Sequence, residues 1–188
     1  MTVNVLLCSD LDRTILPNGD APESEAARPL LRKLAARPEV TLAYVSGRHQ
    51  ALLQEAIDQY ALPVPDYAVG DVGTTIYQVR NGEWERSEAW HAEIAADWGG
   101  RTHDDLARLL ADIPGLRMQE ASKQNVLKLS YYVDDVDRRG RIVAAAEQRL
   151  ADAGIAASVV WSIDDLEGVG LLDVLPRNAT KRHAVEFL

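Results

Sequence analysis

The sequence predicts an α/β fold built on a parallel sheet, with a second module of α+β character inserted into it. Three apolar runs, each typical of a buried strand, alternate with two amphipathic stretches that are typical of helices. The predicted strands cover residues 3–9, 40–45 and 67–69, and the predicted helices cover residues 25–36 and 48–60. Strands and helices that alternate at this spacing form parallel sheets with right-handed crossovers.

Each core element has a reason in the sequence. Residues 3–9 form an almost continuous apolar run, which predicts a fully buried strand. The first helix is expected to begin after Ser24, a residue type that caps helices, and to turn Leu30, Leu31 and Leu34 inward. The apolar residues of the second helix recur at helical spacing, and they are Leu52, Leu53, Ala56 and Ile57.

The pattern then changes from strict alternation to short strands and a long helix. Residues 73–79 and the following Asn81-Gly82 turn predict an antiparallel hairpin. Further predicted elements are helices at 103–112 and 137–153 and strands at 116–121, 125–133 and 156–161. Residues 171–175 lead into a last helix that begins near Thr180.

These patterns divide the chain into three segments. We predict a core at residues 1–78, an inserted α+β module at 79–168 and a return to the core at 169–188. A length of 188 residues and a hydrophobic content of 47% fit this division, because they allow a sizeable core and a modest inserted module.

Composition argues against several classes of function. The net charge of −9 comes without a basic stripe, so we expect no nucleic-acid partner. No run of about 18 apolar residues is present, and the N-terminus lacks the pattern of a signal peptide, so we expect a cytoplasmic protein without a membrane span. The single cysteine, Cys8, falls in a predicted strand, so we expect a buried apolar side chain and no disulfide framework.

Two carboxylates, Asp10 and Asp12, directly follow the first predicted strand, and Thr14 comes two residues later. Open α/β sheets bind ligands at the carboxyl ends of their parallel strands. Asp10 is therefore a candidate nucleophile, Asp12 a candidate proton donor, and Thr14 a residue that could hold the loop. Both aspartates are also candidate ligands of Mg²⁺. The alternative interpretation is an Asp-rich surface turn.

A second polar segment, Ser46-Gly47-Arg48, follows the second predicted strand. Its hydroxyl and its backbone N–H groups at a helix start can form an anion pocket. A plain helix cap with Ser46 at the N-cap position is the alternative. Lys181, at the start of the last predicted helix, can neutralise a phosphate and a carboxylate together, or it can be a solvated surface lysine.

Other polar and aromatic residues carry weaker signals. Asp71 lies in a glycine-containing stretch that could approach the site, although backbone freedom explains the glycines more simply. His91 and His103 lack metal-ligand spacing and are expected at the surface. The four tryptophans suit stacking on sugars, but core packing is the commoner use of this residue.

Asp10-x-Asp12-x-Thr14, Ser46-Gly47-Arg48 and Lys181, in that order, resemble the first three motifs of the haloacid dehalogenase-like phosphatases. Segments at residues 69–77, 124–133 and 172–176 resemble the sucrose-phosphate phosphatase branch of that superfamily. The resemblance covers nearly the whole chain. It implies a Rossmann-like core with an α+β cap of the C2 type inserted between the second and third motifs.

The resemblance implies a Mg²⁺-dependent phosphomonoesterase that acts on a sugar or glycosyl phosphate. Asp10 would form an aspartyl-phosphate, and Asp12 would act first as general acid and then as general base. Mg²⁺ would bind the Asp10 carboxylate and the Asp12 carbonyl oxygen. The implied substrate-binding residues are Thr14, Ser46, Gly47, Arg48 and Lys181. Enzymes of this branch act on the phosphates of sucrose, mannosylglycerate, glucosylglycerol and mannosylfructose.

The fourth motif of the superfamily, an acidic loop like Gly-Asp-x-x-x-Asp, has no counterpart before Leu188. We therefore expect either a truncated chain or a second chain that covers an apolar sheet edge beside residues 3–9 in an oligomer. We also expect fewer carboxylates around Mg²⁺. Two alternatives to the phosphatase stay open: a catalytically impaired fragment or sugar-phosphate-binding protein of the same fold, and a phosphomutase.

Overall fold

The chain builds two separate sheets, one in each of two structural units. The structure, a computed structural model, describes residues 4–17, 24–164 and 167–188. One unit comprises Met1–Trp90 with Thr180–Leu188, and the other comprises His91–Ala179.

The described residues form nine strands and six α-helices. The strands are β1 (Val5–Ser9), β2 (Val40–Val45), β3 (Tyr67–Gly70), β4 (Thr75–Arg80), β5 (Glu83–Arg86), β6 (Arg117–Met118), β7 (Leu129–Val133), β8 (Ala157–Asp164) and β9 (Val169–Pro176). The helices are α1 (Ala27–Ala35), α2 (Gln50–Gln59), α3 (Glu88–Ala95), α4 (His103–Leu110), α5 (Arg139–Asp152) and α6 (Lys181–Phe187). Within this described part of the chain, each helix is too short or too polar to cross a bilayer.

The sheet of the first unit has the strand order β1-β2-β3-β4-β5. The strands β1, β2 and β3 run parallel, whereas β4 and β5 extend the sheet as an antiparallel hairpin. The hairpin turns at Asn81 and Gly82, which both have positive φ, as a tight two-residue hairpin of this sequence requires. Ser9 pairs with Tyr44, and Val45 pairs with Val69. The loops that follow β1 and β2 therefore leave the same edge of the sheet side by side.

The core of the first unit joins β2 and β3 to α2 and to the loop after β1. Leu53, Ala56 and Ile57 of α2 are buried, as their helical spacing predicts. The other buried members of this cluster are Leu11, Leu16, Leu42, Tyr44, Leu62, Ala68 and Tyr77. Because Leu11 and Leu16 belong to the core, the loop that carries the candidate aspartates is anchored at both ends.

The second unit is an antiparallel sheet with the strand order β6-β7-β9-β8 and with α4 and α5 packed against it. Burial is almost continuous along β7 and β9, because each of these two strands lies between two neighbours in the sheet. The antiparallel sheet and the helices of this unit confirm the α+β character predicted for this part of the chain.

The segment boundaries differ from those predicted. Residues 169–176 do not return to the core but form β9, which pairs with β7 and β8 in the second sheet. The hairpin of β4 and β5 belongs to the first unit. The apolar pattern of β9 is that of any buried strand, so the sequence identifies the strand but not its partners.

The strand β1 is not fully buried. The side chains of Val5 and Leu6 are 45% and 40% exposed, because within the described residues β1 pairs with β2 alone and lies at the sheet edge. This agrees with the expected apolar edge, although residue 3 lies outside the described residues. Coverage of this edge by a second chain stays a prediction.

The inward face of α1 also differs from the prediction. Leu30 is 62% exposed and Leu34 is exposed as well, whereas Leu31 and Ala35 pack against the core. Leu31 and Ala35 lie four residues apart, so they share one stripe of the helix and leave the other leucines beside it. The helix begins after Ala26 rather than Ser24, and no side chain caps it.

The helix α4 has a reciprocal cap at its start. The hydroxyl of Thr102 accepts a hydrogen bond from the Asp105 N–H at 3.2 Å, and the Asp105 carboxylate accepts one from the Thr102 N–H at 2.9 Å. This capping box satisfies two of the donors that a helix start leaves without intrahelical partners.

We expect Thr102→Ala to lower the free energy of unfolding by about 1 kcal/mol, because the first turn of α4 loses its side-chain acceptor. Urea denaturation followed by circular dichroism measures the change. Thr102→Ser keeps the hydroxyl and is the control. A Thr102→Ala midpoint equal to that of the wild type would contradict a stabilising role for this cap.

Candidate functional site

The loop after β1 holds the two candidate aspartates. The Asp10 Oδ1 atom accepts a hydrogen bond from the Leu11 N–H at 2.7 Å. The Leu11 carbonyl in turn accepts from the N–H groups of Thr14, Ile15 and Leu16. Because the Leu11 side chain is fully buried, this tight turn is fixed to the core and presents Asp10 at the end of β1.

Lys181 meets Asp10 at this position. Its Nζ atom lies 2.6 Å from Asp10 Oδ2, and both side chains are about two-fifths exposed, at 39% and 42%. Lys181 is the first residue of α6, and the Thr180 hydroxyl caps the helix by accepting from the His183 N–H at 3.0 Å. Lys181 is thus partly solvated, as the alternative interpretation expected, and it also has a specific partner in the Asp10 carboxylate.

Ser46 lies at the end of β2 and is fully buried. Its N–H donates to the Val69 carbonyl at 2.8 Å, and its Oγ accepts from the Arg48 N–H at 3.2 Å. The helix α2 begins at Gln50 with His49 at the N-cap position, so Ser46 is not the helix cap. The helix-cap alternative for Ser46 is therefore wrong, and the anion pocket at Ser46-Gly47-Arg48 stays a prediction.

Arg48 pairs with Asp12. The guanidinium places Nη2 at 2.7 Å from Asp12 Oδ1 and Nε at 3.1 Å from Oδ2, which is a two-pronged contact. The hydrogen bond from Arg48 to Asp12 raises the pKa of Arg48, so this cation stays charged. The side chains at the ends of β1 and β2 are thus joined by an ion pair.

The Asp71–Gly73 turn also reaches this loop cluster. Asp71 is buried, its N–H donates to the Arg48 carbonyl at 2.9 Å, and its carboxylate accepts from the Thr75 hydroxyl at 3.2 Å. In the sequence, the glycine-containing stretch around Asp71 indicated a turn here. It did not indicate which loops the turn contacts, since those contacts are not local in sequence.

A cavity of about 440 Å³ opens beside the Asp10–Lys181 pair, a size within the range of small-molecule sites. Its lining combines residues of β1, of the loop after β1, of β2 and of α6, namely Cys8, Ser9, Asp10, Val45, Lys181, Arg182, Val185 and Glu186. One end is therefore polar and charged, and the walls are in part apolar.

The oxygen atoms around Asp10 fit a hard divalent cation, but they are few. Across the described ranges no group of three or more His, Cys, Asp or Glu side chains gathers as a metal site would need. Mg²⁺ is commonly held by one or two carboxylates together with substrate phosphates and water. The assignment of the Asp10 carboxylate and the Asp12 carbonyl oxygen to such a sparse site stays a prediction.

The structure also describes other residues that the sequence singled out. His103 contacts Asp104 and Gln124 in the second unit. Trp90 and Trp98 are almost completely buried, so the prediction of core packing is confirmed for both. Thr14 has an exposed side chain, and its N–H closes the turn on Leu11.

Comparison with known proteins supports the family suggested by the motifs. A family model described as sucrose-6F-phosphate phosphohydrolase matches residues 3–188. A HAD-like hydrolase of Nitrosococcus oceani is 53% identical over 188 residues, which are 100% of this chain and 51% of that protein. The mannosylfructose-phosphate phosphatase of Agrobacterium fabrum is 32% identical over 187 residues, which are 97% of this chain and 68% of that protein. The chain thus spans about half the length of the first relative and about two thirds of the second.

Solved structures share the fold. The sucrose-phosphatase of Synechocystis, solved with sucrose and phosphate, superposes with a TM-score of 0.74 at 24% identity and covers 98% of this chain and 69% of its own. The predicted α/β fold is confirmed by this similarity together with the topology described above, in which the core sheet is mixed and contains three parallel strands.

Cys8 lines the cavity, and the rate at which its thiol is alkylated tests how far this wall is buried. The thiol is free and half-buried, and burial raises its pKa above the ordinary 9.0 because burial disfavours the charged thiolate. Only the thiolate is alkylated readily. We therefore expect iodoacetamide to modify Cys8 slowly at neutral pH, with a rate that still rises beyond pH 9. The chain unfolded in urea is the control, and a folded-state rate that levels off below pH 9 would contradict the expectation.

Proposed function

Because the chain belongs to the sucrose-6F-phosphate phosphohydrolase family of the haloacid dehalogenase-like superfamily, we propose that it carries the catalytic residues of a sugar-phosphate phosphatase. The observation that carries the proposal is the contact of Lys181 with Asp10 at the carboxyl end of β1. A carboxylate held beside a lysine, with a buried hydroxyl on the next loop, is suited to accept a phosphoryl group.

The substrate class follows from the family and from the names of the relatives. The family is named for sucrose-6F-phosphate and the Agrobacterium relative for mannosylfructose phosphate, and both compounds are phosphate monoesters of disaccharides. We propose a sugar or glycosyl phosphate for this chain too. A net charge of −9 opposes the approach of such an anion, so the site needs local cations, and Lys181 and Arg48 supply them.

In the proposed first step, an Asp10 carboxylate oxygen attacks phosphorus and the bond from phosphorus to the sugar oxygen breaks. Asp12 donates a proton to that oxygen, so the sugar leaves as an alcohol and Asp10 becomes an aspartyl-phosphate. Lys181 contacts Asp10 before the attack and offsets the charge of the phosphoryl group. Ser46 and the Gly47 backbone would bind the remaining phosphoryl oxygens.

In the proposed second step, the Asp12 carboxylate takes a proton from water as the water oxygen attacks phosphorus. The aspartyl–phosphorus bond breaks, inorganic phosphate leaves, and Asp10 and Asp12 return to their starting states. In the present structure Asp12 is bound to Arg48, so Arg48 must release it before Asp12 can carry the proton of the first step. A substrate phosphate is a competing partner for Arg48.

A divalent metal completes this chemistry. Phosphatases of this superfamily generally use one, and Mg²⁺ is our proposal for this chain because the available donors are oxygen atoms. The Asp10 carboxylate and the Asp12 carbonyl oxygen would hold it. When bound, the ion supplies positive charge opposite the phosphoryl oxygens.

A binding protein without turnover is the second candidate. The described residues offer few acidic side chains around Asp10, and this observation favours a weak metal site. Such a protein would bind a sugar phosphate at the same loops and release no phosphate. A phosphomutase would instead yield an isomeric sugar phosphate.

We expect the chain to release phosphate from a panel of sugar and glycosyl phosphates, to lose this activity in chelator and to recover it with Mg²⁺. Asp10→Asn removes the nucleophile and should lower turnover about a thousandfold or more. Asp58→Asn, the same change at an exposed position of α2, is the control. Undiminished release by Asp10→Asn would contradict the proposed nucleophile, and sugar-phosphate binding without release would favour the binding protein.

We expect Asp12→Asn to lower kcat/KM for sugar phosphates by roughly 10²–10⁴, because a sugar alkoxide needs a proton as it leaves. The loss for p-nitrophenyl phosphate should be much smaller, since nitrophenolate leaves without protonation. The ratio kcat/KM is the measurement because it covers the steps up to departure of the leaving group. Equal losses on both substrates would contradict the role of Asp12 as general acid.

A further inference from the structure

The Asp71–Gly73 turn has an unusual backbone. Asp71, Val72 and Gly73 have φ values of 51°, 62° and 105°, so three successive residues occupy the left-handed region. Residues with side chains adopt this region at a cost, and such strain persists where the surrounding structure enforces it. The turn follows β3 and lies in the first unit, as do the loops and the helix that it contacts.

One end of the turn lies directly against the start of α6. A Cβ atom on Gly73 would come within 2.8 Å of the Thr180 carbonyl carbon and 2.9 Å of the Lys181 nitrogen. These are backbone atoms, which cannot move aside as the tip of a side chain can. Gly73 is therefore required both by its φ and by the approach of the helix that carries Lys181.

The other end of the turn holds the loop after β2. The Asp71 N–H donates to the Arg48 carbonyl at 2.9 Å, and a Cβ on Gly70 would lie 3.0 Å from that same oxygen. The Thr74 and Thr75 hydroxyls close the turn on the Asp71 carbonyl and carboxylate. A single turn thus contacts the backbone of both residues that supply cations to the site.

Trp90 fixes the turn from a third side. Its indole N–H donates to the Gly73 carbonyl at 3.1 Å, and the ring is fully buried. The same ring packs against His183 and Phe187 of α6, with centroids 5.1 Å and 5.2 Å away. The turn and the helix therefore share one buried support.

We propose that the Asp71–Gly73 turn is a positioning element that sets the Lys181 ammonium on Asp10 through the close contact of Gly73 with the first residue of α6. Gly73 and Trp90 are then positioning residues and do not themselves touch substrate. The ion pair is half-exposed, and such pairs bring little stability of their own, so its geometry must come from the backbone behind it. The part of this inference that concerns turnover rests on the proposed function.

The test compares two glycine variants by the reactivity of Lys181. Gly73→Ala adds a methyl group against α6, whereas Gly82→Ala adds one in open space at a similarly positive φ of 82° and is the matched control. An amine-acylating reagent, applied without added metal, and peptide mass spectrometry give the rate at Lys181. The exposed Lys33 on α1 corrects for the reagent concentration, and a wild-type circular dichroism spectrum reports an intact fold.

We expect Gly73→Ala to raise the Lys181 acylation rate severalfold, towards the rate in Asp10→Asn, because both changes release the amine from its carboxylate. Gly82→Ala should match the wild type. Trp90→Phe keeps an aromatic ring but removes the donor to the Gly73 carbonyl, so it should raise the rate to a smaller extent. If Gly73→Ala does not fold, the rate in Trp90→Phe decides whether the turn positions Lys181.

If Lys181 is acylated at the wild-type rate in the folded Gly73→Ala and Trp90→Phe variants, the inference is overturned. Where the wild type turns over, Gly73→Ala should also raise KM more than it lowers kcat, because Lys181 binds the phosphate. A wild type without turnover contradicts the proposed function, and the acylation rates still decide the role of the turn.

Discussion

The site depends on the ion pair between Asp10 and Lys181, two residues that lie 171 positions apart in the sequence. The pair joins the end of the first strand to the start of the last helix of the same unit. Half-exposed ion pairs contribute little to folding, so this contact does not hold the unit together. Buried backbone contacts bring the two residues together instead, and the pair then presents a charged carboxylate beside a cation at the wall of a cavity.

Charge balance sets a second constraint on the same loops. In a chain of net charge −9, the cations that would meet a phosphate are each held on a carboxylate: Lys181 on Asp10 and Arg48 on Asp12. Pairing keeps both cations in place while the site is free of ligand. In the proposed function, an incoming phosphate would compete with Asp12 for Arg48, so substrate binding would be coupled to the release of Asp12.

Much of the fold and of the candidate site could be predicted because the relevant signals are local. Apolar runs located β1, β2 and β3, the Asn81-Gly82 turn located the hairpin, and the end of each parallel strand located Asp10 and Ser46. Since the carboxyl ends of adjacent parallel strands meet at one edge of the sheet, residues far apart in sequence were expected near one another. The predictions that Leu30 faces the core and that the segment of β9 returns to the first sheet were wrong, because both features depend on packing partners that are distant in sequence.

The sequence by itself determined the motif residues, their order along the chain and the family. Tertiary structure alone decided which sheet β9 joins, which stripe of α1 faces the core, and that Gly73 lies against the backbone of Lys181. The physical reason is that hydrophobic period and turn chemistry act over a few residues, whereas partner choice depends on surfaces brought together by folding. A glycine in the sequence indicates only that the backbone can adopt unusual conformations. The structure shows that the backbone of Thr180 and Lys181 leaves no room for a side chain at Gly73.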